Sequence, residues 1–367
     1  MNPDVIQDVE AWTVKVPFKK TWKISLYESK DREHAIVCLT SAKGFKGYGE
    51  VCPAPALMGE DTQCICDVIL RLLQPILIGA NPFDLELIHA RMDQIIKSNN
   101  VAKACVDIAL HDLQGKMLGI PLYLMLGGRF RQDVPLTYVL GIQETEKTLE
   151  EVEKYRESGI TSFKVKIGMN PTEEIALLKA MRNRFGDDIH IRVDANQAFS
   201  VAQALKILRR MEEFNLEFIE QPLPWWDLEG MQYLTSAIDT PIMADESVFS
   251  LADALRVVRM RAADLINIKV SKVGGIHCAR KIAVVAQSAN MPVSIGSNLD
   301  LGIGSAANLH LSVSTPNLPY PNESLLGPVL HEYDLIETPF PVKNGMAKPS
   351  DAPGLGIELN SRARKQV

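Results

Sequence analysis

Hydrophobic and polar residues follow two different patterns along the chain, and the change falls near residue 130. Before it, three segments rich in β-branched and aromatic residues are followed by three segments with apolar residues at helical spacing. The strands are predicted over 5–16, 34–41 and 46–51, and the helices over 61–77, 82–96 and 102–118. Lys43, Gly44 and Gly47 are interpreted as turn residues of a small meander. This part of the chain is therefore predicted to be an α+β unit.

After residue 134, short apolar runs alternate with longer amphipathic stretches, a pattern typical of repeated βα units. The predicted strands are 136–140, 162–167, 189–193, 218–219, 241–244, 265–270, 293–295 and a short eighth near 318–320. The predicted helices are 145–157, 172–184, 201–214, 251–261 and 276–289. Eight strands in about 200 residues predict a (β/α)₈ barrel of the TIM type. The fold class is therefore α/β, with a second, α+β unit before the barrel.

Paired glycines, charges and a proline mark the segment Gly127–Pro135 as the best domain boundary in the chain. We predict three segments: 1–128 as the α+β unit, 129–325 as the barrel, and 326–367 as a tail. The tail is rich in Pro and Gly and is too short to form a domain, so it must pack onto another part of the protein.

Composition excludes several classes of function. The 367 residues are 46% hydrophobic and 23% charged, with 45 Asp and Glu against 39 Lys and Arg, and the only basic cluster is Arg362, Arg364 and Lys365, which argues against a nucleic-acid partner. The uncharged run Leu301–Asn322 contains three prolines and several polar residues, so no membrane span is predicted. An acidic N-terminus without an apolar stretch and six scattered cysteines indicate a cytoplasmic protein.

Carboxylates follow three consecutive predicted strands, where side chains of a barrel reach its functional face. They are Asp194, Glu220 and Asp245, about one βα period apart. Three converging carboxylates repel each other unless a cation neutralises them, and oxygen ligands suit Mg²⁺, with Mn²⁺ as the alternative. Each acid alone could instead cap the helix after its strand. Three in succession favour a metal triad.

Lysines flank these acids. Lys164 and Lys166 are two residues apart on one strand and point the same way, and their mutual charge and burial favour a neutral amine that could act as a base. A salt bridge from either lysine to an acid is the alternative interpretation. On the sixth strand, Lys269 and Lys272 are three apart and cannot both face inward on a regular strand. We predict Lys269 in the site and Lys272 in the following loop.

The motifs Lys164-Val-Lys166, Asp194-Ala-Asn196, Glu220-Gln-Pro, Asp245-Glu246-Ser and Asn-Ile-Lys269 resemble those of the enolase superfamily, specifically its muconate-lactonizing-enzyme (muconate cycloisomerase) subgroup. The resemblance covers nearly the whole chain. It implies that the N-terminal unit and the tail together form a capping domain over a modified barrel.

The resemblance also implies roles for single residues. The three acids would bind Mg²⁺, Lys166 and Lys269 would act as acid and base on opposite faces of a small carboxylate substrate, and Lys164 would support them. Asn196 and Glu246 would contact the metal ligands. Substrate specificity is expected from Thr21, Trp22 and Met58 of the cap, and Asp300 and Glu323 stand where relatives often carry acids.

The implied reaction is removal or return of a proton next to the substrate carboxylate, through an enolate stabilised by the metal. A muconate cycloisomerase-like enzyme that forms a homo-oligomer is the first expectation. The alternatives are a racemase or epimerase of N-acylamino acids, dipeptides or betaines, a dehydratase or o-succinylbenzoate synthase-like lyase, and a non-catalytic relative. The seventh strand, Ser294 to Asn298, lacks the histidine of the mandelate-racemase subgroup, and residues 321–328 lack the Asp-x-Asp pair of dipeptide epimerases.

Overall fold

The computed structural model describes residues 4–363. The first three residues and the basic residues Arg364 and Lys365 lie outside this range. Within the described part of the chain, no helix is both long enough and apolar enough to cross a membrane.

The N-terminal unit is built on an antiparallel sheet in the order β1–β2–β3, as the alternating pattern predicts. Its strands are β1 (Ile6–Lys23), β2 (Glu28–Ser41) and β3 (Lys46–Val51). The first two strands run farther than predicted, because the hairpin between them continues to Lys23 and Glu28 and reaches the mouth of the barrel. There the backbone N–H of Ile142 donates to the carbonyl of Lys23 at 3.0 Å.

Six helices complete this unit, which we call the cap (β1–β3 and α1–α6). They are α1 (Pro55–Met58), α2 (Thr62–Asp67), α3 (Gln74–Leu77), α4 (Leu85–Ile95), α5 (Asn100–Leu118) and α6 (Leu122–Met125), with a π-helical segment, Val68–Leu73, joining α2 to α3. The predicted helix 61–77 is thus continuous helix of mixed type. Helix α5 is buried from Val101 to Gly115 and forms the centre of the cap.

Two glycines let the strand β3 pack directly against α5. A Cβ added to Gly49 would lie 1.9 Å from the carbonyl oxygen of Cys105, and one added to Gly47 would lie 2.2 Å from that of Ala109. The two glycines are two residues apart, so they lie on the same face of the strand. The interpretation of Gly47 as a turn residue is therefore wrong: it lies within β3, paired with Leu39, and its missing side chain allows close packing against α5.

The barrel contains seven regular parallel strands in chain order from β5 to β11. They are β5 (Thr137–Leu140), β6 (Ser162–Lys166), β7 (His190–Asp194), β8 (Leu216–Glu220), β9 (Ile242–Ala244), β10 (Leu265–Ile268) and β11 (Val293–Ile295), preceded by the short β4 (Val134–Pro135). Every predicted barrel strand up to the seventh is present. Their buried β-branched and aromatic residues fill the barrel and contact the surrounding helices.

The eighth predicted strand, near 318–320, does not form. Pro319 and Pro321 have no backbone N–H and cannot support a ladder of hydrogen bonds. Instead Asn322 closes the gap: its N–H and C=O bond to Pro135 and Thr137, and its side-chain oxygen accepts from Ile295 N. A single residue thus connects both edges of the sheet where a strand was predicted.

Helices follow the strands around the outside. They are α7 (Thr145–Glu157), α8 (Pro171–Phe185), α9 (Val201–Met211), α10 (Leu228–Ala237), α11 (Leu251–Met260), α12 (Ile276–Ser288), α13 (Gly302–Ser314) and α14 (Leu326–Leu330). Helices α10, α13 and α14 were not predicted. Helix α13 is buried on every side from Gly302 to Val313, so it lacks the polar face that produces an amphipathic pattern.

The C-terminal segment packs against the cap. From the sequence, this tail, which is too short to form a domain, is expected to pack onto another part of the protein. The indole N–H of Trp12 donates to the carbonyl of Ala363 at 2.9 Å, and Leu355 N donates to the carboxylate of Asp112 at 2.8 Å. Its two short strands, β12 (Val342–Lys343) and β13 (Met346–Ala347), pair with β4 at the start of the barrel. The domain boundaries at 128 and 325 stay a prediction.

The close contact at Gly49 gives a stability prediction. Gly49→Ala should lower the free energy of unfolding by at least about 3 kcal/mol, because the new methyl group can be accommodated only by separating β3 from α5. Gly44→Ala is the matched control: it has open space and only a left-handed φ of 86°, so about 1–2 kcal/mol is expected. Urea denaturation measures both, and equal losses would contradict the packing argument.

Candidate active site

The barrel register brings the predicted acids together. Lys166, Asp194 and Glu220 are consecutive cross-strand neighbours at the carboxyl ends of β6, β7 and β8. Asp245 directly follows β9, the next strand in the sheet. All three carboxylates are fully buried. The predicted triad therefore lies along one edge of the sheet, at the carboxyl ends of its strands.

Each acid is bonded to a lysine. The ammonium of Lys166 lies 2.6 Å from Asp194, that of Lys164 lies 3.0 Å from Glu220, and that of Lys269 lies 2.6 Å from Asp245. Lys164 is also 3.5 Å from Asp194. The ammonium groups of Lys166 and Lys269 thus lie on the two outer acids of the row, with Glu220 between them.

Lys272 lies in the loop that follows β10, as predicted, but its side chain also reaches the row of acids. Its ammonium lies 2.7 Å from Asp245 Oδ1, and Lys269 occupies the other carboxylate oxygen. Both lysines reach one acid because the strand ends at Ile268 and the chain turns at once, with Lys272 N donating to Lys269 O at 2.9 Å. The two-residue alternation of a strand does not apply in a turn.

The charges shift the acidities of these groups. Burial alone would lower the pKa of Lys164 and Lys269, but the surrounding carboxylates outweigh it and hold both pKa values above their usual range. Burial, together with the charges of Asp194 and Asp245, raises the pKa of Glu220 to about 8. Lys164 therefore follows the alternative interpretation, in which salt bridges to acids keep the amine protonated.

A second row of polar groups supports the first. Asn196 accepts a hydrogen bond from Lys166 at 2.9 Å and donates one to Glu246 Oε1 at 3.0 Å. Asn267 donates to Glu220 at 2.8 Å. The other carboxylate oxygen of Glu246 is buried without a hydrogen-bond partner among the described residues, and burial raises the pKa of this acid to about 7. Glu246 therefore brings a buried carboxyl oxygen without a partner into the site.

The donor set fits a hard divalent cation. The three carboxylates offer oxygen ligands only, and they repel one another. The carboxylate of Glu246, next to Asp245 in the chain, has an oxygen without a hydrogen-bond partner among the described residues. In residues 4–363 no three Asp, Glu, His or Cys side chains are already gathered around one point. On each of the three acids, a lysine ammonium group occupies the position where an ion would bind. The lysine side chains would therefore have to withdraw for an ion to bind.

A small cavity, about 40 Å³, opens beside the lysines and is closed from above by the cap. Its walls come from both units. The cap contributes Trp22, Ile24, Tyr27, Ala54 and Leu57, and the barrel contributes Val139, Lys164, Lys166, Asn196, Lys269, Ser297, Asn298, Leu299, Glu323 and Leu326. Ligand pockets are usually larger, about 300 Å³ or more, so side chains of the cavity wall must rearrange to admit a substrate.

The predicted substrate-contacting residues divide into two groups. Trp22 and Glu323 line the cavity, and Glu323 is 2.5 Å from the ammonium of Lys164. Thr21 does not, since it neighbours Trp22 on a strand and points outward to solvent. Met58 packs into the cap core, and its neighbour Leu57 faces the cavity instead. Asp300 lies behind the wall, where it accepts from Cys52 N at 3.3 Å.

Some of the site residues that were not predicted could have been inferred from the sequence. Asn267 is two residues before Lys269, so strand alternation places both on the same face. Ser297, Asn298 and Leu299 follow the seventh strand at the same end of the barrel as the acids. No sequence pattern indicates the cap residues Ile24, Tyr27 and Leu57, because their approach to the site depends on how the cap docks.

Comparison with known proteins agrees with this geometry. Residues 147–363 match the family described as "Enolase C-terminal domain-like", and residues 6–127 match "Mandelate racemase / muconate lactonizing enzyme, N-terminal domain". The chain is 34% identical to the N-succinyl-L-Arg/Lys racemase of Bacillus cereus, over 99% of this chain and 97% of that protein.

Solved structures give the same result. The muconate lactonizing enzyme of Pseudomonas fluorescens, solved with muconolactone, matches with a TM-score of 0.95 at 31% identity, over 99% of this chain and 98% of that one. The dipeptide epimerase of Enterococcus faecalis, solved with Mg and the dipeptide L-Leu-L-Tyr, matches with a TM-score of 0.92 at 35% identity, over 96% and 99%. The resemblance inferred from the motifs is confirmed: the chain belongs to the mandelate racemase/muconate lactonizing enzyme family of the enolase superfamily, and it is an isomerase of that superfamily.

Proposed function

We propose that this isomerase requires a divalent cation, Mg²⁺ first, and moves a proton at the carbon next to the carboxylate of a small anionic substrate. The observation that carries the proposal is the placement of Lys166 and Lys269 on the two outer acids of a buried row of three. Asp194, Glu220 and Asp245 would hold the cation. When bound, the cation would neutralise negative charge that develops on the substrate carboxylate.

The lysines perform the proton transfers. An amine can take a proton from carbon only when it is neutral, and Lys166 and Lys269 are now held to Asp194 and Asp245 as ion pairs. Releasing these carboxylates frees both side chains, and removes the pull that keeps the pKa of Lys269 high. One lysine then removes a proton from one face of the substrate and the other, as ammonium, delivers a proton to the opposite face. Lys164 stays charged and stabilises the enolate formed between these steps.

The cavity wall favours anions. Three of its charged side chains are lysines, and its one carboxylate, Glu323, is paired with Lys164. No other acid lines the cavity within the described residues, so a substrate's free α-ammonium group would have no counter-charge there. Trp22, Ile24 and Leu57 supply an apolar roof. Small dicarboxylates and N-acylated amino acids therefore fit this wall better than dipeptides with a free amino terminus.

Two reactions fit these requirements. Cycloisomerisation of muconate, the first expectation from the sequence, places a dianion against the lysines and needs one proton delivered to carbon. Racemisation of an N-acylated amino acid uses lysines on both faces, which this site offers. The similarity to a muconate lactonizing enzyme supports the first reaction, and that to an N-succinyl-L-Arg/Lys racemase supports the second.

A substrate comparison in D₂O tests the proposal. With Mg²⁺ present, we expect either lactone formation from cis,cis-muconate or deuterium incorporation at the α-carbon of N-succinyl-L-arginine, followed by ¹H NMR. L-Ala-L-Glu, with its free ammonium, should react more slowly than the better of these two. Preferential turnover of the dipeptide, or no reaction with any of the three, would count against the proposed substrate class.

Lysine variants separate the two reactions. Lys166→Met and Lys269→Met should each reduce the rate of racemisation by about 10²- to 10⁴-fold, which is the usual contribution of a positioned acid or base to the rate. Each variant should lose α-proton exchange with one enantiomer and retain it with the other, whereas cycloisomerisation should be lost in only one of them. Lys206→Met, at an exposed position on α9, is the control and should leave activity unchanged. Full activity in both cavity variants would contradict these roles.

Metal binding can be measured without any substrate. Isothermal titration with Mg²⁺ or Mn²⁺ should show one site per chain, and Asp245→Asn should weaken it by more than the roughly 10- to 100-fold typical of losing an outer partner of a metal ligand. Asp239→Asn, at an exposed position outside the barrel mouth, should bind like the unmodified protein. Equal affinity in both variants would exclude Asp245 as a ligand.

A further inference from the structure

One buried carboxylate of the cap bonds to the start of a barrel helix. Glu50, at the end of β3, accepts hydrogen bonds from Leu301 N at 2.6 Å and Gly304 N at 3.0 Å, which belong to the first turn of α13. His34 on the neighbouring strand bonds the same carboxylate at 2.8 Å. Glu50 and His34 are both fully buried. A cap side chain thus satisfies backbone N–H groups that the helix itself leaves without partners.

A second buried cap carboxylate makes the equivalent contact with the preceding barrel helix. Asp107, in the middle of α5, accepts from Ile276 N at 2.5 Å, where α12 begins. His89 bonds its other oxygen at 2.8 Å. The approach is close: a Cβ on Gly275 would lie 2.2 Å from Asp107 Oδ1, and Gly275 has a φ of 103°. Only glycine fits both the contact and the backbone conformation there.

The two helices directly follow the loops that carry cavity residues. The loop before α12 contains Lys269 and Lys272, the two lysines on Asp245. The loop before α13 contains Ser297, Asn298 and Leu299, which line the cavity. The cap therefore holds the far end of each loop, while the strands β10 and β11 hold the near end.

The loop before α13 needs such support, because its backbone is strained. Leu299 has a φ of 73°, a left-handed conformation that a leucine rarely adopts. Asp300 and Gly327 pack around it, and a Cβ on Gly327 would lie 2.0 Å from Asp300 O. Conformations of this kind persist only where surrounding contacts determine them, and Glu50 supplies two of those contacts.

We propose that Glu50 and Asp107 are positioning residues, through which the cap sets the placement of two loops of the site. Asp107 acts through α12 on the loop that carries Lys269, one of the two proton-transferring lysines, and Glu50 acts through α13 on the wall that contacts the substrate. The cap is thus a fixed frame for part of the barrel mouth in addition to a cover over it. This proposal rests on the proposed function for the roles of the two loops.

The two positions predict different kinetic effects. Asp107→Asn should lower kcat by about 10- to 100-fold with little change in KM, because displacement of a reacting group by a fraction of an ångström affects the chemical step. Glu50→Gln should raise KM about 10-fold with little change in kcat, because it displaces the substrate-contacting wall. Asp107→Glu and Glu50→Asp, which keep the charge but change its reach, should show the same split and cover the case in which an amide variant fails to fold.

Asp112→Asn is the matched control. Asp112 is also a fully buried cap carboxylate on α5, but it bonds Tyr48 N and Leu355 N, within the cap and the C-terminal segment. This variant should lose stability while kcat and KM per folded molecule stay unchanged. If the Glu50 and Asp107 variants behave like it, their role is structural only and the proposal is wrong.

Hydrogen exchange tests the placement without any substrate. Mass spectrometry of the full chain should show faster amide exchange in 269–280 for Asp107→Asn and in 297–306 for Glu50→Gln, each leaving the other segment unchanged. If the unmodified protein turns over no substrate, the proposed function fails, and these exchange patterns alone decide whether the cap positions the loops. Uniform acceleration in both segments by either variant would overturn the proposal.

Discussion

The need to compensate buried negative charge dominates the mouth of the barrel. Five acids lie there, namely Asp194, Glu220, Asp245, Glu246 and Glu323. The four lysines Lys164, Lys166, Lys269 and Lys272 pair with all of these acids except Glu246, which accepts a hydrogen bond from Asn196 instead. A carboxylate removed from water is costly unless it is paired, so neither set could exist there without the other. The balance is incomplete: burial, reinforced by the charges of neighbouring carboxylates, raises the pKa values of Glu220 and Glu246.

The same requirement is met in a second way where the cap contacts the barrel. Glu50 and Asp107 lie too deep for water and have no lysine partner in the contacts described; they bond to helix N-termini and to neighbouring histidines instead. A helix N-terminus offers unpaired N–H groups and a partial positive charge, so it can serve as the counterpart of a buried acid. Charge compensation thus explains both the chemistry of the mouth and the attachment of the cap.

The sequence predicted the barrel well because its strands are short apolar runs and most of its helices are amphipathic. It also predicted the row of acids and lysines, since chain order and strand direction fix which side chains meet at one end of a parallel sheet. It failed where tertiary contacts override periodicity. Helix α13 has no polar face, Lys272 enters the site through a turn, and Asn322 closes the barrel without a strand. Positions such as Leu57 and Thr21 depend on how the cap docks, which no local pattern contains.

The return of the C-terminal segment has a consequence for how the protein is made. Trp12 and Asp112, near the beginning of the chain, depend on Ala363 and Leu355, near its end, for hydrogen bonds. A ribosome releases the first strands long before the residues that complete their surroundings exist. The barrel can assemble during synthesis, strand by strand in chain order, while the cap must wait until Leu355 and Ala363 have been made. During that interval the surface of the cap that the C-terminal segment will cover stays exposed to solvent.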